Sequence, residues 1–173
     1  MTTSNSMQER PGSGSAGLLV SILLRFPEVG SVTYDPVHHA LRFTMLFHGK
    51  LTAPGFAELR DLVTESVLAL SMLQGAEARS IDVERTTFKG VTALAVLRDV
   101  ESLTREEIAM LIALIRDRFG EGMVVEAEGG LIEEDLLVQE QLIDAALDDL
   151  RDARQHQNLI AYREGGRVMV FNK

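Results

Sequence analysis

The chain has no cysteine and no tryptophan among its 173 residues, and it has only two tyrosines. Without cysteine the protein cannot form disulfides, thiolate zinc sites or cysteine nucleophiles. This composition fits a reducing compartment, so we expect a cytoplasmic protein.

Long hydrophobic runs are also missing. The longest nearly apolar stretch, residues 16–24, is about half of the ~20 residues that a membrane-spanning helix needs. Its flanks lack the basic start and small-residue cleavage site of a signal peptide, so we expect no membrane association. An apolar content of 46% nevertheless excludes a disordered chain. We expect a flexible tail over residues 1–15 and one globular domain over residues 16–173.

Catalytic motifs are equally scarce. The sequence contains no Gly-x-Ser-x-Gly, no Gly-Lys-Ser/Thr phosphate loop and no His-Glu-x-x-His, so neither a hydrolase nucleophile nor a zinc pair is indicated. A match to the dinucleotide-binding pattern Gly-x-Gly-x-x-Gly at residues 12–17 has no strand before it, and a linker explains it better. We therefore assign no catalytic residue, no cofactor and no metal ligand.

What the sequence does contain is a regular alternation of strand-like and helical patterns. Two hairpin–helix (ββα) units follow a short apolar helix and precede a long helix and a hairpin closed by Gly165 and Gly166. The predicted strands and helices occupy 17–26, 32–34, 41–48, 54–73, 81–84, 91–97, 104–119, 131–154 and the hairpin 158–172. A strand is the alternative for 17–26. A shift of 52 residues superimposes the two units without a gap. The predicted fold is α+β, with helices covering one face of an antiparallel sheet.

The net charge of −9 lies within one segment. Residues 121–157 hold eleven acidic and two basic residues, and the rest of the chain is balanced. An acidic chain without a basic cluster argues against nucleic-acid binding. Four acids of the long helix, Glu140, Asp144, Asp148 and Asp152, repeat at i, i+4 and repel one another. We interpret this acidic column as a surface for a basic protein partner; arginines of the same chain, a divalent cation or simple solvation are the alternatives.

The long helix and the hairpin both carry more apolar surface than one side requires. The helix has two apolar stripes, where packing on one domain needs only one, and the hairpin is apolar on both faces. The hairpin either extends the sheet of its own domain or embraces a second subunit. We predict a homodimer, and assign to its interface the residues Leu131, Val138, Leu142, Tyr162, Met169 and Phe171.

These features favour a non-catalytic, self-associating protein-interaction module. The alternative is a small enzyme or ligand-binding domain that uses carboxylates with Arg42 or Arg98, two arginines on or beside predicted strands. Whether the protein is an enzyme is left open by the sequence.

Overall fold

A computed structural model describes residues 14–125 and 132–172. The helices are α1 (Gly14–Arg25), α2 (Ala53–Leu73), α3 (Arg105–Phe119) and α4 (Glu133–Asp152). The strands are β1 (Ser31–Asp35), β2 (Ala40–His48), β3 (Ile81–Phe88), β4 (Val91–Asp99), β5 (Leu159–Glu164) and β6 (Arg167–Asn172). The predicted α+β class, with two ββα units, a long helix and a terminal hairpin, is confirmed.

The six strands form one antiparallel sheet in the order β3-β4-β2-β1-β5-β6. The two units meet where β2 pairs with β4, at the centre of the sheet. The terminal hairpin joins the sheet because β5 pairs with β1. Of the two predicted alternatives for the hairpin, the first is therefore observed: it extends the sheet of its own domain.

The hairpin is also attached to the first helix. Arg163 on β5 donates hydrogen bonds to the carbonyls of Phe26 and Pro27, at 3.1 and 3.3 Å, just beyond the end of α1. A guanidinium suits this position, because the last carbonyls of a helix lack intrahelical partners and carry negative partial charge.

All four helices cover the same face of the sheet. Alternate residues of β2, among them Leu41, Phe43 and Met45, are buried in one core that also contains buried side chains from every helix. Helix α1 packs over β1, β5 and β6, and α4 packs against α1 and α3 rather than on the sheet. The opposite face of the sheet, called the open face below, therefore points away from all described helices.

The boundaries differ from the predicted ones by a few residues. Gly14 and Ser15, which we assigned to the tail, form the first turn of α1. Met123 forms an isolated β-bridge with Phe47. Helix α4 begins at Glu133, and Leu131, which we assigned to the interface, lies outside the described residues. Among the described helices, none is long and apolar enough to cross a membrane.

Candidate functional site

The open face is a surface that no helix of the described residues covers. Register places the same side of every strand on it, since paired residues of neighbouring antiparallel strands point the same way. Two rows cross all six strands from β3 to β6. The first row is Asp82, Leu97, Arg42, Thr33, Ile160 and Phe171, and the second is Glu84, Ala95, Thr44, Ser31, Tyr162 and Met169.

The charged residues of these two rows all lie on β3 and β2. Arg42 reaches across β4 to Glu84, and the guanidinium and carboxylate are 2.7 Å apart. Ala95, the residue between their strands, is buried. From β1 to β6 both rows carry only uncharged residues, which leaves an apolar half and a charged half on one flat surface.

Aromatic packing shapes the apolar half. The rings of Tyr162 and Phe171 are stacked, with centroids 5.5 Å apart and planes inclined by 16°. Ile160 and Met169 adjoin them through the pairing of β5 with β6. Phe171 is exposed and the other three are half-buried. These side chains face away from the helices, so the packing of this domain does not explain them.

The predicted interface residues lie on opposite sides of the molecule. Tyr162, Met169 and Phe171 share the open face, as their alternation in the hairpin predicts. Val138 and Leu142 lie on α4, on the helical side, where Val138 is 50% exposed. One flat contact cannot contain both groups. Sequence periodicity identified both apolar groups but could not show that a whole layer of the domain separates them.

Sequence reasoning missed the inner strands of the open face. Leu46 and Thr44 on β2, and Leu97 and Ala93 on β4, belong to it. Their signal was present, because both strands carry apolar residues on both sides rather than a clean alternation.

The acidic column on α4 is largely paired with arginines of the same chain. Glu140 accepts a hydrogen bond from Arg25 at 2.8 Å and lies 3.5 Å from Arg105. Arg105 also donates to Asp144 at 3.0 Å. The i, i+4 repulsion predicted for this column is thus offset by α1 and α3.

The other half of the column points outward. Asp148 pairs with Arg151 one turn along α4, at 2.7 Å, and both Asp148 and Asp152 are exposed. The assignment of the column to a basic partner stays a prediction, and these two aspartates are the part that remains accessible for it.

A buried arginine cluster lies where β4 ends and α3 begins. Arg98 is fully buried, and its Nε and Nη2 donate to both oxygens of Glu107, at 2.7 and 2.9 Å. Its Nη1 donates to Asp99 and to the carbonyl of Ser80, and Nη2 also donates to Ser102. Every nitrogen of the guanidinium is used, so Arg98 holds the strand to the helix and is not free for a ligand.

The carboxyl groups of this cluster have shifted pKa values. Burial raises the pKa of Glu107 despite the hydrogen bonds and charge of Arg98. Burial alone would also raise the pKa of Asp99, but hydrogen bonds from Ser102 and Ser80 and the charge of Arg98 bring it to about 2. Thr104 caps α3 by accepting a hydrogen bond from the backbone N–H of Glu107, while the carboxylate of Glu107 accepts from Arg98.

A second polar group lies at the same end of the sheet. The Tyr34 hydroxyl and His39 Nδ1 are 2.9 Å apart, and His39 Nε2 is 3.5 Å from Glu101 without a hydrogen bond to it. His39 is buried with a φ of +50°. Burial, aided by the charge of Arg154, lowers its pKa, so the neutral imidazole is favoured. A neutral histidine beside a tyrosine can exchange a proton with it in principle. His39 is only 4% exposed, so a substrate cannot contact its ring.

The part of the chain that the structure describes contains no group of side chains arranged to bind a metal ion or a cofactor through one. No three histidine or acidic side chains within 14–125 and 132–172 are placed to hold an ion together. A surface depression on the outer side of α3 is lined by Met110, Ala113, Leu114, Arg116 and Asp117 and has a volume of about 610 Å³.

Neither a comparison with protein-family models nor one with curated protein sequences finds a match to this chain. Function must therefore be argued from the surfaces themselves.

Proposed function

We propose that the protein is a non-catalytic, self-associating interaction module whose subunits pack open face to open face. The observation that carries the proposal is the apolar half of the open face, where Ile160, Tyr162, Met169 and Phe171 point away from the core of their own domain. Exposed apolar surface of this kind marks association sites. The sequence supports a cytoplasmic location through its lack of cysteine.

The size of the open face suits a dimer. Six strands at about 4.8 Å spacing and about 3.4 Å per residue give it an extent of roughly 700 Å². Stable interfaces bury about 800 Å² on each partner. Two such faces can pack about 10 Å apart with their strands nearly aligned, as in a β-sandwich.

The test compares two lysine substitutions, one on each side of the molecule. Ile160→Lys places a charge in the apolar half of the open face, and Val138→Lys places the same charge on the exposed stripe of α4. We expect a dimeric wild type, a dimeric Val138→Lys and a monomeric Ile160→Lys, with the dimer dissociation constant raised at least tenfold. Analytical ultracentrifugation gives the mass, and circular dichroism checks that both variants are folded.

Three results would overturn the proposal. They are a monomeric wild type at about 50 µM, a dimer that survives Ile160→Lys, and a dimer that Val138→Lys alone dissociates. The last would move the interface to α4. Deletion of residues 158–173 is a poorer test, because β5 and β6 contribute Leu159 and Ala161 to the core and their loss would damage the fold itself.

A further inference from the structure

Helix α2 exposes a second apolar surface, on the side of the molecule opposite the open face. Its buried side carries Leu59, Val63, Val67 and Ser71. Its outer side exposes four large apolar side chains within twelve residues: Leu62 by 40%, Leu68 by 49%, Met72 by 80% and Leu73 by 85%. At 100° per residue, Leu68 and Met72 share one stripe of the outer side, whereas Leu62 and Leu73 lie about 80–100° around the helix from Met72. Single exposed leucines are ordinary, but exposed apolar side chains that follow one another on a stripe mark a contact site. Methionine in such a group adapts to partners of varied shape.

The same outer side of α2 is acidic in its first half. At 100° per residue, Asp61 and Glu65 lie in line with Leu68 and Met72. Asp61 reaches only its neighbour Arg60, at 3.8 Å, and within the described residues Glu65 has no cation at ion-pair distance. The two acids are four residues apart and repel each other. Along this stripe, therefore, negative charge with only one long contact to a cation, Arg60–Asp61 at 3.8 Å, is followed by apolar surface.

From this arrangement we propose that α2 binds an amphipathic helix of another protein, one with apolar residues at one end of its contact stripe and lysine or arginine at the other. The apolar end covers Leu68 and Met72, and the basic end lies against Asp61 and Glu65. The contact pairs two helices along the positions i, i+4, i+7 and i+11 of α2, which these four residues occupy.

A second copy of this chain does not fit the same surface. If two α2 helices pack antiparallel along their length, the leucines of each cover the acids of the other and bury their charge. If they pack parallel, Asp61 and Glu65 meet their own copies and repel. A basic partner satisfies both halves in one orientation. Because α2 and the open face are on opposite sides of the sheet, the inference does not depend on the dimer.

The test uses three fluorescent 18-residue peptides against the full chain. The first carries leucines on one stripe of its first half and lysines on the same stripe of its second half. The second has glutamate in place of lysine, and the third has serine in place of leucine. We expect the first to bind with a dissociation constant in the micromolar range by fluorescence anisotropy, and the other two to bind at least tenfold more weakly. Backbone amide shifts should change along α2.

Matched variants of the protein separate α2 from the acidic column of α4. Met72→Glu and Leu68→Glu should weaken binding of the first peptide at least tenfold, and Glu65→Gln should weaken it a few-fold with reduced salt dependence. Leu137→Glu changes a leucine on α4 that is 55% exposed, close to the 49% of Leu68, and should leave binding unchanged.

Four results would overturn the proposal: no binding, equal binding of the glutamate peptide, shifts confined to Asp148 and Asp152, or a change in subunit number caused by Met72→Glu. The last would make α2 a contact between copies. Failure here leaves the dimer test untouched, because that test reads mass and not peptide binding.

Discussion

Two groups of arginines and carboxylates in this molecule have similar chemistry and different surroundings. In the buried arginine cluster, Arg98 is enclosed with Asp99, Ser102 and Glu107. In the acidic column, Arg105 meets Glu140 and Asp144 at the surface. Both join α3 to a neighbouring element, the first to β4 and the second to α4.

The difference in burial between the two groups determines how much each ion pair contributes to the stability of the fold. Removing one partner from a buried ion pair leaves a charge without water or counter-ion, which costs about 3–5 kcal/mol. A surface pair loses little, because water replaces the partner, and is worth about 0–1 kcal/mol. The buried cluster therefore specifies how β4 and α3 pack, while the acidic column mainly cancels repulsion within α4.

Removing Arg98 should have the largest effect of any single change in these two groups. Arg98→Met leaves the carboxylates of Asp99 and Glu107 without their common donor, so we expect a loss of about 3–5 kcal/mol in the free energy of unfolding. Urea unfolding followed by circular dichroism measures it.

The double variant Arg98→Met/Glu107→Leu sharpens this result. It removes the carboxylate of Glu107 that Arg98→Met leaves buried without a partner. The loss in the free energy of unfolding of the double variant should therefore be smaller than the sum of the losses of the two single variants, by at least 1 kcal/mol. If the losses simply add, Arg98 and Glu107 are not coupled and the cluster is misread.

The buried cluster should also reveal itself through pH. Asp99 has a pKa of about 2 in the fold and 3.8 as its ordinary value. Between those values the unfolded chain binds more protons, so stability falls as the pH is lowered through them. The shift corresponds to roughly 2 kcal/mol, present in full above about pH 5. Burial raises the pKa of Glu107, so this carboxyl has the opposite effect: its contribution to stability increases as the pH falls.

The measurement compares wild type with Asp99→Asn by urea unfolding at several pH values. The stability gap between the two proteins should be widest near pH 6 and should narrow as the pH falls from about 5 to 2. A gap that stays constant with pH would mean that the charge of Asp99 does not contribute to stability.

The sequence predicted the elements of the fold because each is marked by its own residues. Thr104 caps α3, and the Gly165–Gly166 turn sets the hairpin pairing of Ile160 with Phe171. These signals are local, and they locate the elements to within a few residues.

The repeat shows what local signals do not determine. A shift of 52 residues superimposes α2 on α3, so that buried Leu59 and Val63 fall on buried Leu111 and Ile115. The same shift places buried Leu41 over Ala93 of the open face. The predicted ungapped match therefore fails in the strands. The connection from β4 to α3 is one residue longer than that from β2 to α2, and a one-residue slip turns every strand side chain to the other face.

The surfaces were harder to predict, for a similar reason. Whether Val138 and Tyr162 lie on one side depends on how α4 packs across α1, and whether Glu140 is free depends on Arg25, 115 residues away. Such long-range relations are set by packing of the whole core, and the i, i+4 spacing of the acids carries no information about them.

Substitutions in the acidic column should cause the smallest loss in the free energy of unfolding. Arg105→Met removes the contacts to Glu140 and Asp144, at 3.5 and 3.0 Å, but water reaches both carboxylates. We expect a loss of less than about 1 kcal/mol in the free energy of unfolding at low salt. In 0.5 M NaCl the loss should become smaller still, because charges are screened within about 4 Å.

Arg105→Lys serves as the control, since it keeps the charge and should lose even less. The decisive quantity is the ratio of the losses in the free energy of unfolding caused by Arg98→Met and Arg105→Met, measured in the same buffer. If Arg105→Met costs 3 kcal/mol or more and salt does not reduce the loss, the column is as structural as the buried cluster. Asp144 would then be bound too firmly within the chain to receive a basic partner, and only Asp148 and Asp152 would remain available to one.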